Sequence, residues 1–421
     1  MNIEILNTGS ELLLGTRLNT HGQWMGQELF KLGLRVSRLV TVPDGEAIHG
    51  ALDEAVRRAD VVLVTGGLGP TSDDITREAA AGVAGIELIE DEAALRSLEA
   101  FFAQRGRPMA PDNRKQAQVP VGAEVLPNPH GTAPGIYIPP RLNQAANCAV
   151  FLLPGPPREL YPMWAAEVVP KLRALSGGGF RSEMRQMTFA GVGESDLHQE
   201  VDTDLAQIEG LEVGYCARLG EVDVRLIGSQ EAIDVGRARV MQSFSQQCFS
   251  EAGESLEEVV VKAMRVAGLK LATAESCTGG LIASRVTDVP GASAVLTHGW
   301  VTYANEAKMA ELGVPAEVLA EHGAVSEAVA AAMAEGALKA SGADLAVAVT
   351  GIAGPEGGSE EKPVGTVFLG VAEQGKAPRV VRQMHPRDRR GFKRMVSQSA
   401  LDLIRQAVAK HEESNLIADS P

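Results

Sequence analysis

At 421 residues the chain is too long for one compact core, so two or three domains are expected. Apolar residues make up 45% of it, an ordinary share for a globular protein, and no run of 18 apolar residues is present to span a membrane. The formal net charge of −15 argues against non-specific binding to DNA or anionic lipid, but not against anionic small molecules, which backbone N–H groups and a few local cations can hold.

The four cysteines (Cys148, Cys216, Cys248, Cys277) show no CxxC spacing, and the eight histidines form no HExxH. A zinc site is therefore not expected. Met1-Asn2-Ile3-Glu4 lacks the basic start and apolar stretch of a signal peptide, so a cytoplasmic chain with reduced thiols is the expectation.

Residues 1–175 alternate strand and helix: strands at Ile3 to Asn7, Arg35 to Val40 and Asp60 to Thr65, helices at Thr20 to Leu32 and Ala47 to Arg58. Asp60 to Thr65 is almost continuously apolar, as a strand buried on both faces of a parallel sheet is. Gly66-Gly67-Leu68-Gly69-Pro70-Thr71-Ser72-Asp73-Asp74 follows it directly. Its glycines let backbone amides approach a phosphate, and the next helix adds the positive end of its dipole. Asp73 and Asp74 have two open readings: acids complementing a first helical turn, or carboxylates holding a divalent cation against a phosphate. The run is neither a GxGxxG nor a Walker loop, and Ala81-Gly82 stands where a Nudix box needs glutamates. Three more turns end strands of this domain: Thr8-Gly9-Ser10-Glu11, Gly131-Thr132-Ala133-Pro134-Gly135 and Pro154-Gly155-Pro156-Pro157.

These motifs together resemble the N-terminal domain of the competence/damage-inducible CinA family, which is similar in fold to molybdopterin-binding proteins. The resemblance implies metal-dependent cleavage of ADP-ribose. In the molybdopterin relatives an aspartate nine positions into the glycine motif is functional, and Asp74 matches it; a second, in a Pro-Asp turn, matches Asp44. Ser10, Glu11, Gly66, Gly67, Gly69 and Thr132 are the accompanying substrate candidates, with Asp73 and Asp74 as metal ligands.

Ser176-Gly177-Gly178-Gly179 reads as a linker. Residues 180–252 follow as a small α+β piece with no dense cationic patch and no catalytic constellation. This segment resembles the KH-like module of full-length CinA proteins, yet it lacks a GxxG loop, so RNA binding is not expected.

Ser255-Leu256-Glu257-Glu258 is a capping box opening a third domain, 253–412, before a disordered tail at 413–421. Strands are expected at Leu269 to Ala274, His298 to Tyr303, Leu345 to Thr350, Thr366 to Val371 and Arg379 to Met384, with a helix at Ser326 to Lys339. Ala274-Glu275-Ser276-Cys277-Thr278-Gly279-Gly280 places a hydroxyl and a thiol where a strand hands over to a helix, whose N-terminus offers free N–H groups to an anion. Lys308 lies just after another strand and is a base only if its pKa is lowered; most lysines are solvated surface charges. Tyr303 fits an ordinary strand aromatic as well as a site residue. Thr350-Gly351 ends a buried strand, and Ser293 reads as a turn residue unless it meets phosphate.

Six motifs in order (AESCTGGLIAS, VPGAS, VTYANEAK, GAVSE, TGIAGPEGG, EKPVGTVFLG) are similar to the nicotinamide mononucleotide deamidase domain that ends CinA proteins. What this implies is catalysis by Ser276 with Lys308 as base and no cofactor, Tyr303 and Thr350 in the active site, and Gly279, Gly280 and Gly351 along the substrate. Ser293 and one of Arg389 or Arg390 would hold the phosphate. Cys277 is the rival nucleophile, without a histidine paired to it in sequence. The fold class expected is thus two α/β domains, molybdopterin-binding-like and deamidase-type, joined by a KH-like α+β domain. The expected partners are nicotinamide mononucleotide, ADP-ribose and a second copy of the chain, with no nucleic acid and no membrane. The competing reading is a molybdopterin or nucleotide carrier, or a competence and DNA-repair adaptor.

Overall fold

The computed structural model describes residues 1–177 and 183–418, with side chains to residue 411. It divides into two compact units, Met1–Arg181 and Ser182–Pro421. Gly178 and Gly179 of the expected linker lie outside the described residues, and Ser176 closes the helix Val169–Ser176.

The first unit is built on a six-stranded sheet ordered Val36–Val42, Ile3–Thr8, Val61–Thr65, Ala149–Leu153, Gly135–Ile138, Glu124–Leu126. The first four strands run parallel and the last two antiparallel. Strand residues alternate between two cores, as the period of two requires. Ile3, Ile5, Val61 and Leu63 meet Met25, Leu29 and Trp164 on one face. Leu6, Val62 and Val64 meet Leu52, Val56 and Ala80 on the other. From the strand Ile3–Thr8 the chain moves to one side of the sheet and then returns across it to Val61–Thr65. In open α/β sheets ligand sites lie at the carboxyl ends of the strands beside such a reversal.

The second unit holds two sheets. Glu212–Arg218, Glu221–Gly228, Glu183–Ala190 and Cys248–Ser250 pair antiparallel in that order, with helices Glu194–Leu205 and Gln230–Phe244 over Phe189, Val224 and Leu226. The five-stranded sheet runs Leu296–Val301, Leu271–Glu275, Leu345–Gly351, Thr366–Glu373, Arg379–Met384. Its first three strands are parallel and its last two antiparallel. One face presents Leu271, Val347 and Val349 to the helices Leu256–Ala267 and Arg389–Ala418. The other presents Ala272, Ala274, Ala346 and Ala348, small residues that let the helix Glu327–Ser341 approach closely. Here too the chain reverses direction about one strand, Leu271–Glu275, and its carboxyl end is the place for a ligand site by the same rule.

Observed strands follow the expected ones within a few residues. Two departures stand out. The final helix continues to Ala418, through most of the segment expected as a disordered tail; residues 419–421 lie outside the described residues. The two segments expected as separate domains, 180–252 and 253–412, share a core in which Ala190 and Phe249 pack with Val260 and Leu403.

Candidate active site

Ser276 directly follows the strand Leu271–Glu275, and its N–H donates to Val349 O of the adjacent strand at 3.0 Å. Gly279 N–H donates back to Ser276 O at 3.1 Å, closing the turn. Gly279 and Gly280 both have positive φ, 62° and 88°, a backbone that side chains rarely adopt. Glu275 is fully buried and accepts hydrogen bonds from Ile282 N–H (3.1 Å) and Ala283 N–H (2.9 Å). Two of the helix N-terminal N–H groups expected to face an anion instead serve the chain's own carboxylate. The N–H groups of Cys277, Thr278 and Gly280 have no carbonyl partner among the described residues.

Lys308 comes from the helix Asn305–Leu312 and is 1% exposed. Its Nζ lies 3.3 Å from Ser276 Oγ, 2.8 Å from Thr302 O and 3.3 Å from Tyr303 O. It makes no ion pair among the described residues. Burial lowers its pKa below the ordinary lysine value, against a weaker opposing pull from Cys277 and Glu306. A neutral amine has two N–H groups and one lone pair. The two carbonyls can take the N–H groups, which leaves the lone pair for the Ser276 hydroxyl. The solvated-surface reading of Lys308 is thereby overturned.

Cys277 is buried, and desolvation pushes its thiol up to about 12, so it is protonated at neutral pH. Thr350 is buried too, but its hydroxyl donates to Ala324 O at 2.7 Å and so anchors the strand end. Tyr303 is 60% exposed, with Arg389 Nη2 donating to its Oη at 2.7 Å. Arg389 Nη1 also donates to Gly354 O at 3.1 Å, whereas Arg390 is exposed and has no side-chain partner among the described residues. Arg389 is therefore the arginine turned toward the site. Ser293 is not brought there: it is exposed, just before the amino end of Leu296–Val301, while Ser276 follows the carboxyl end of the parallel neighbour. Strand rise alone separates the two by roughly 15 Å. Sequence reasoning missed Lys393, whose Nζ would stand 3.5 Å from a Cβ at Gly279.

In the first unit, Gly66 has φ 96°, and a Cβ there would meet Thr8 Oγ1 at 2.5 Å and Thr8 O at 2.8 Å. Only glycine lets the two strand-end loops approach this closely. Ser10 and Asp44 are joined reciprocally: Ser10 N–H donates to Asp44 Oδ2 at 2.8 Å, and Asp44 N–H to Ser10 Oγ at 3.3 Å. Glu11 is exposed, its carboxylate lying against Gly9. Gly69 lies against the Asp74 carboxylate, and a Cβ at Gly67 would run into Thr76 Oγ1. Asp74 Oδ2 accepts from Thr71 N–H at 3.0 Å and from the Thr71 hydroxyl. Asp73 is exposed and its pKa is lowered, chiefly by the Thr71 side chain. Thr132 Oγ1 accepts from Gln116 Nε2 at 3.1 Å, and Gln116 also holds Leu68 O at 3.2 Å.

Two cations that sequence patterns did not single out support this loop. Arg77 is fully buried and donates to Leu68 O (2.7 Å) and Gly69 O (3.1 Å). Lys115 donates to Asp74 O (3.0 Å) and to Thr71 O. Among the described residues no three His, Cys, Asp or Glu side chains converge as a metal cluster. Asp73 and Asp74 are hard oxygen donors that suit a cation shared with substrate phosphates rather than one caged by protein. No helix among the described residues is long and apolar enough to cross a membrane.

Residues 253–408 match the family described as CinA C-terminal domain, and residues 4–174 match the probable molybdopterin binding domain. A CinA-like protein of Akkermansia muciniphila is 53% identical over 402 residues, covering 95% of this chain and 96% of that protein. A putative competence-damage inducible protein of Symbiobacterium thermophilum is 48% identical, covering 89% of each. Another, from Moorella thermoacetica, is 43% identical over 96% of this chain and 98% of that protein.

Proposed function

The chain belongs to the CinA family, and on that premise we propose that it hydrolyses two pyridine-nucleotide breakdown products. The C-terminal domain deamidates nicotinamide mononucleotide to nicotinate mononucleotide and ammonia. The observation that carries this reading is the buried Lys308 amine 3.3 Å from Ser276 Oγ at the carboxyl end of a strand.

Lys308, neutral, takes the Ser276 proton as Oγ attacks the carboxamide carbon. The oxyanion forms beside the turn, where the N–H groups of Cys277, Thr278 and Gly280 have no carbonyl partner among the described residues. The C–N bond then breaks, the lysine ammonium returns the proton to the departing ammonia, and an ester on Ser276 remains. Water attacks that ester with Lys308 again as base, freeing the carboxylate and restoring the serine. The serine and lysine supply both nucleophile and base, so no step calls on a metal.

For the N-terminal domain we propose cleavage of ADP-ribose to AMP and ribose 5-phosphate. Asp73 and Asp74 would hold a divalent cation, which supplies charge neutralisation at the pyrophosphate. Gly67 and Gly69 bring backbone N–H groups to the phosphates, Gly66 fixes the turn with its own N–H on Leu153 O, and Arg77 and Lys115 keep the loop in shape. A second reading, that this domain only binds a molybdopterin or nucleotide, is favoured by one observation: Asp74 is already engaged by Thr71.

Purified protein incubated with each substrate, with and without EDTA, tests both activities. Equal amounts of ammonia and nicotinate mononucleotide, insensitive to EDTA, are expected; no release would refute the deamidase. ADP-ribose cleavage should need added metal and vanish in Asp74→Asn, since the amide keeps the shape and removes the charge. Cleavage persisting in Asp74→Asn would return Asp74 to the role of a turn cap.

A further inference from the structure

The first two turns of the helix Arg389–Ala418 put two cations on one face, Arg389 and Lys393, four residues apart. Arg389 is engaged with Tyr303 Oη and Gly354 O. Lys393 is different. It is half-buried, yet its ammonium makes no ion pair and no hydrogen bond among the described residues. It stands over the catalytic turn, 3.5 Å from where a Cβ of Gly279 would be, three residues beyond Ser276. Glu275, the buried carboxylate of that turn, is spent on Ile282 and Ala283 N–H. An ammonium beside the catalytic turn with no acceptor from the described residues is open to an anionic ligand group, which would give it charge-assisted hydrogen bonds.

From this we infer that Lys393 is the residue that binds the substrate's anionic group, and so selects a phosphorylated nucleotide amide over its uncharged nucleoside. The inference rests on the deamidase reading and names the cation on which its specificity depends. Ser293, a phosphate candidate from sequence, lies at the opposite end of its strand. Arg389 already has two partners, so its role is to brace Tyr303 and the Gly354 loop beside the phosphate. Lys393 supplies a compact point charge on a flexible stem, the form suited to a phosphomonoester. Glycine at position 279 leaves the space between that charge and Ser276 open for the substrate.

The test compares wild type, Lys393→Ala and Lys393→Arg on nicotinamide mononucleotide and on nicotinamide riboside, which lacks the phosphate. Lys393→Ala should raise KM for the mononucleotide at least about tenfold, with kcat within about threefold, as loss of uniform binding does. Its kcat/KM for the riboside should stay within about twofold, and Lys393→Arg should restore most of the mononucleotide affinity. An unchanged KM for the mononucleotide, or an equal fall for both substrates, overturns the assignment. Calorimetric binding of the mononucleotide in a Ser276→Ala background separates the two levels. Weaker binding on removal of Lys393, with no ammonia released by the wild-type chain, would keep the anion site and discard the deamidase. Unchanged binding alongside active deamidation would do the reverse.

Discussion

At the scale of single residues, the site depends on Lys308 being neutral when it is needed. Its amine is out of water and makes no ion pair among the described residues, so burial outweighs the weaker pull of Glu306 and the pKa falls below that of a free lysine. Deamidation should therefore rise with pH through this lowered value and level off before the ordinary lysine value of about 10.4. A rate still climbing as a free lysine would demand, measured as kcat against pH, would contradict the burial account. Folding stability feels the same burial. The unfolded chain keeps the lysine proton to higher pH than the folded chain does. The cost of burying the cation is thus present in full below the folded pKa and is relieved as pH rises toward the unfolded one. Lys308→Met should consequently gain more stability over wild type at about pH 6 than at about pH 9, by denaturant midpoints. The neighbouring Cys277 has its thiol pushed up to about 12 by desolvation. It should resist iodoacetamide in the native protein and react only after unfolding, as peptide mass spectrometry can show.

At the scale of elements, both candidate sites lie where a strand ends, a glycine turn follows and the chain reverses across the sheet. Gly66 is the tightest point of the first. Gly66→Ala would press a methyl onto Thr8 O from a φ of 96°, and the backbone cannot easily yield. A loss of about 2 kcal/mol or more in the first unit is expected, with ADP-ribose cleavage lost and deamidation kept. Wild-type stability in this variant would mean that the loops have room to spare. Much of this level was legible in the sequence. Val61–Thr65 and Leu345–Gly351 announce themselves as unbroken apolar runs, and the Ser276 and Gly66 turns by their small residues. What stayed hidden depends on how the loops fold back on themselves and on their neighbours. Nothing local says that Arg77 threads under Leu68 and Gly69, that Lys115 reaches back to Thr71 and Asp74, or that Glu275 caps the helix beginning at Leu281. Lys308 could be named from its motif, but its burial could not. Ser293 misled because motif order carries no information about which end of a strand a turn occupies.

For the whole molecule, the two units each carry their own core and glycine turn. Fragments divided near Arg181 should fold separately, the second releasing ammonia and the first cleaving ADP-ribose with metal. A cut at residue 253 is a harsher test. It removes Phe249 and Ala190 from the core shared with Val260 and Leu403. It also removes Glu221 from Gln398 Nε2 (2.7 Å) and Gln246 O from Arg405 (2.8 Å). The shorter fragment should keep the Ser276–Lys308 pair yet melt several degrees lower than the fragment from 183, the order that lost apolar burial predicts. Equal melting temperatures would show that the antiparallel sheet contributes nothing to the deamidase fold.

The central claim is that the Ser276 hydroxyl, driven by Lys308, does the chemistry. Ammonia release from nicotinamide mononucleotide, followed side by side in folded Ser276→Ala and Cys277→Ala proteins, tests it most directly. Ser276→Ala should lose at least about a hundredfold in turnover, while Cys277→Ala stays within about threefold of wild type. Full activity in Ser276→Ala together with loss in Cys277→Ala would contradict the account.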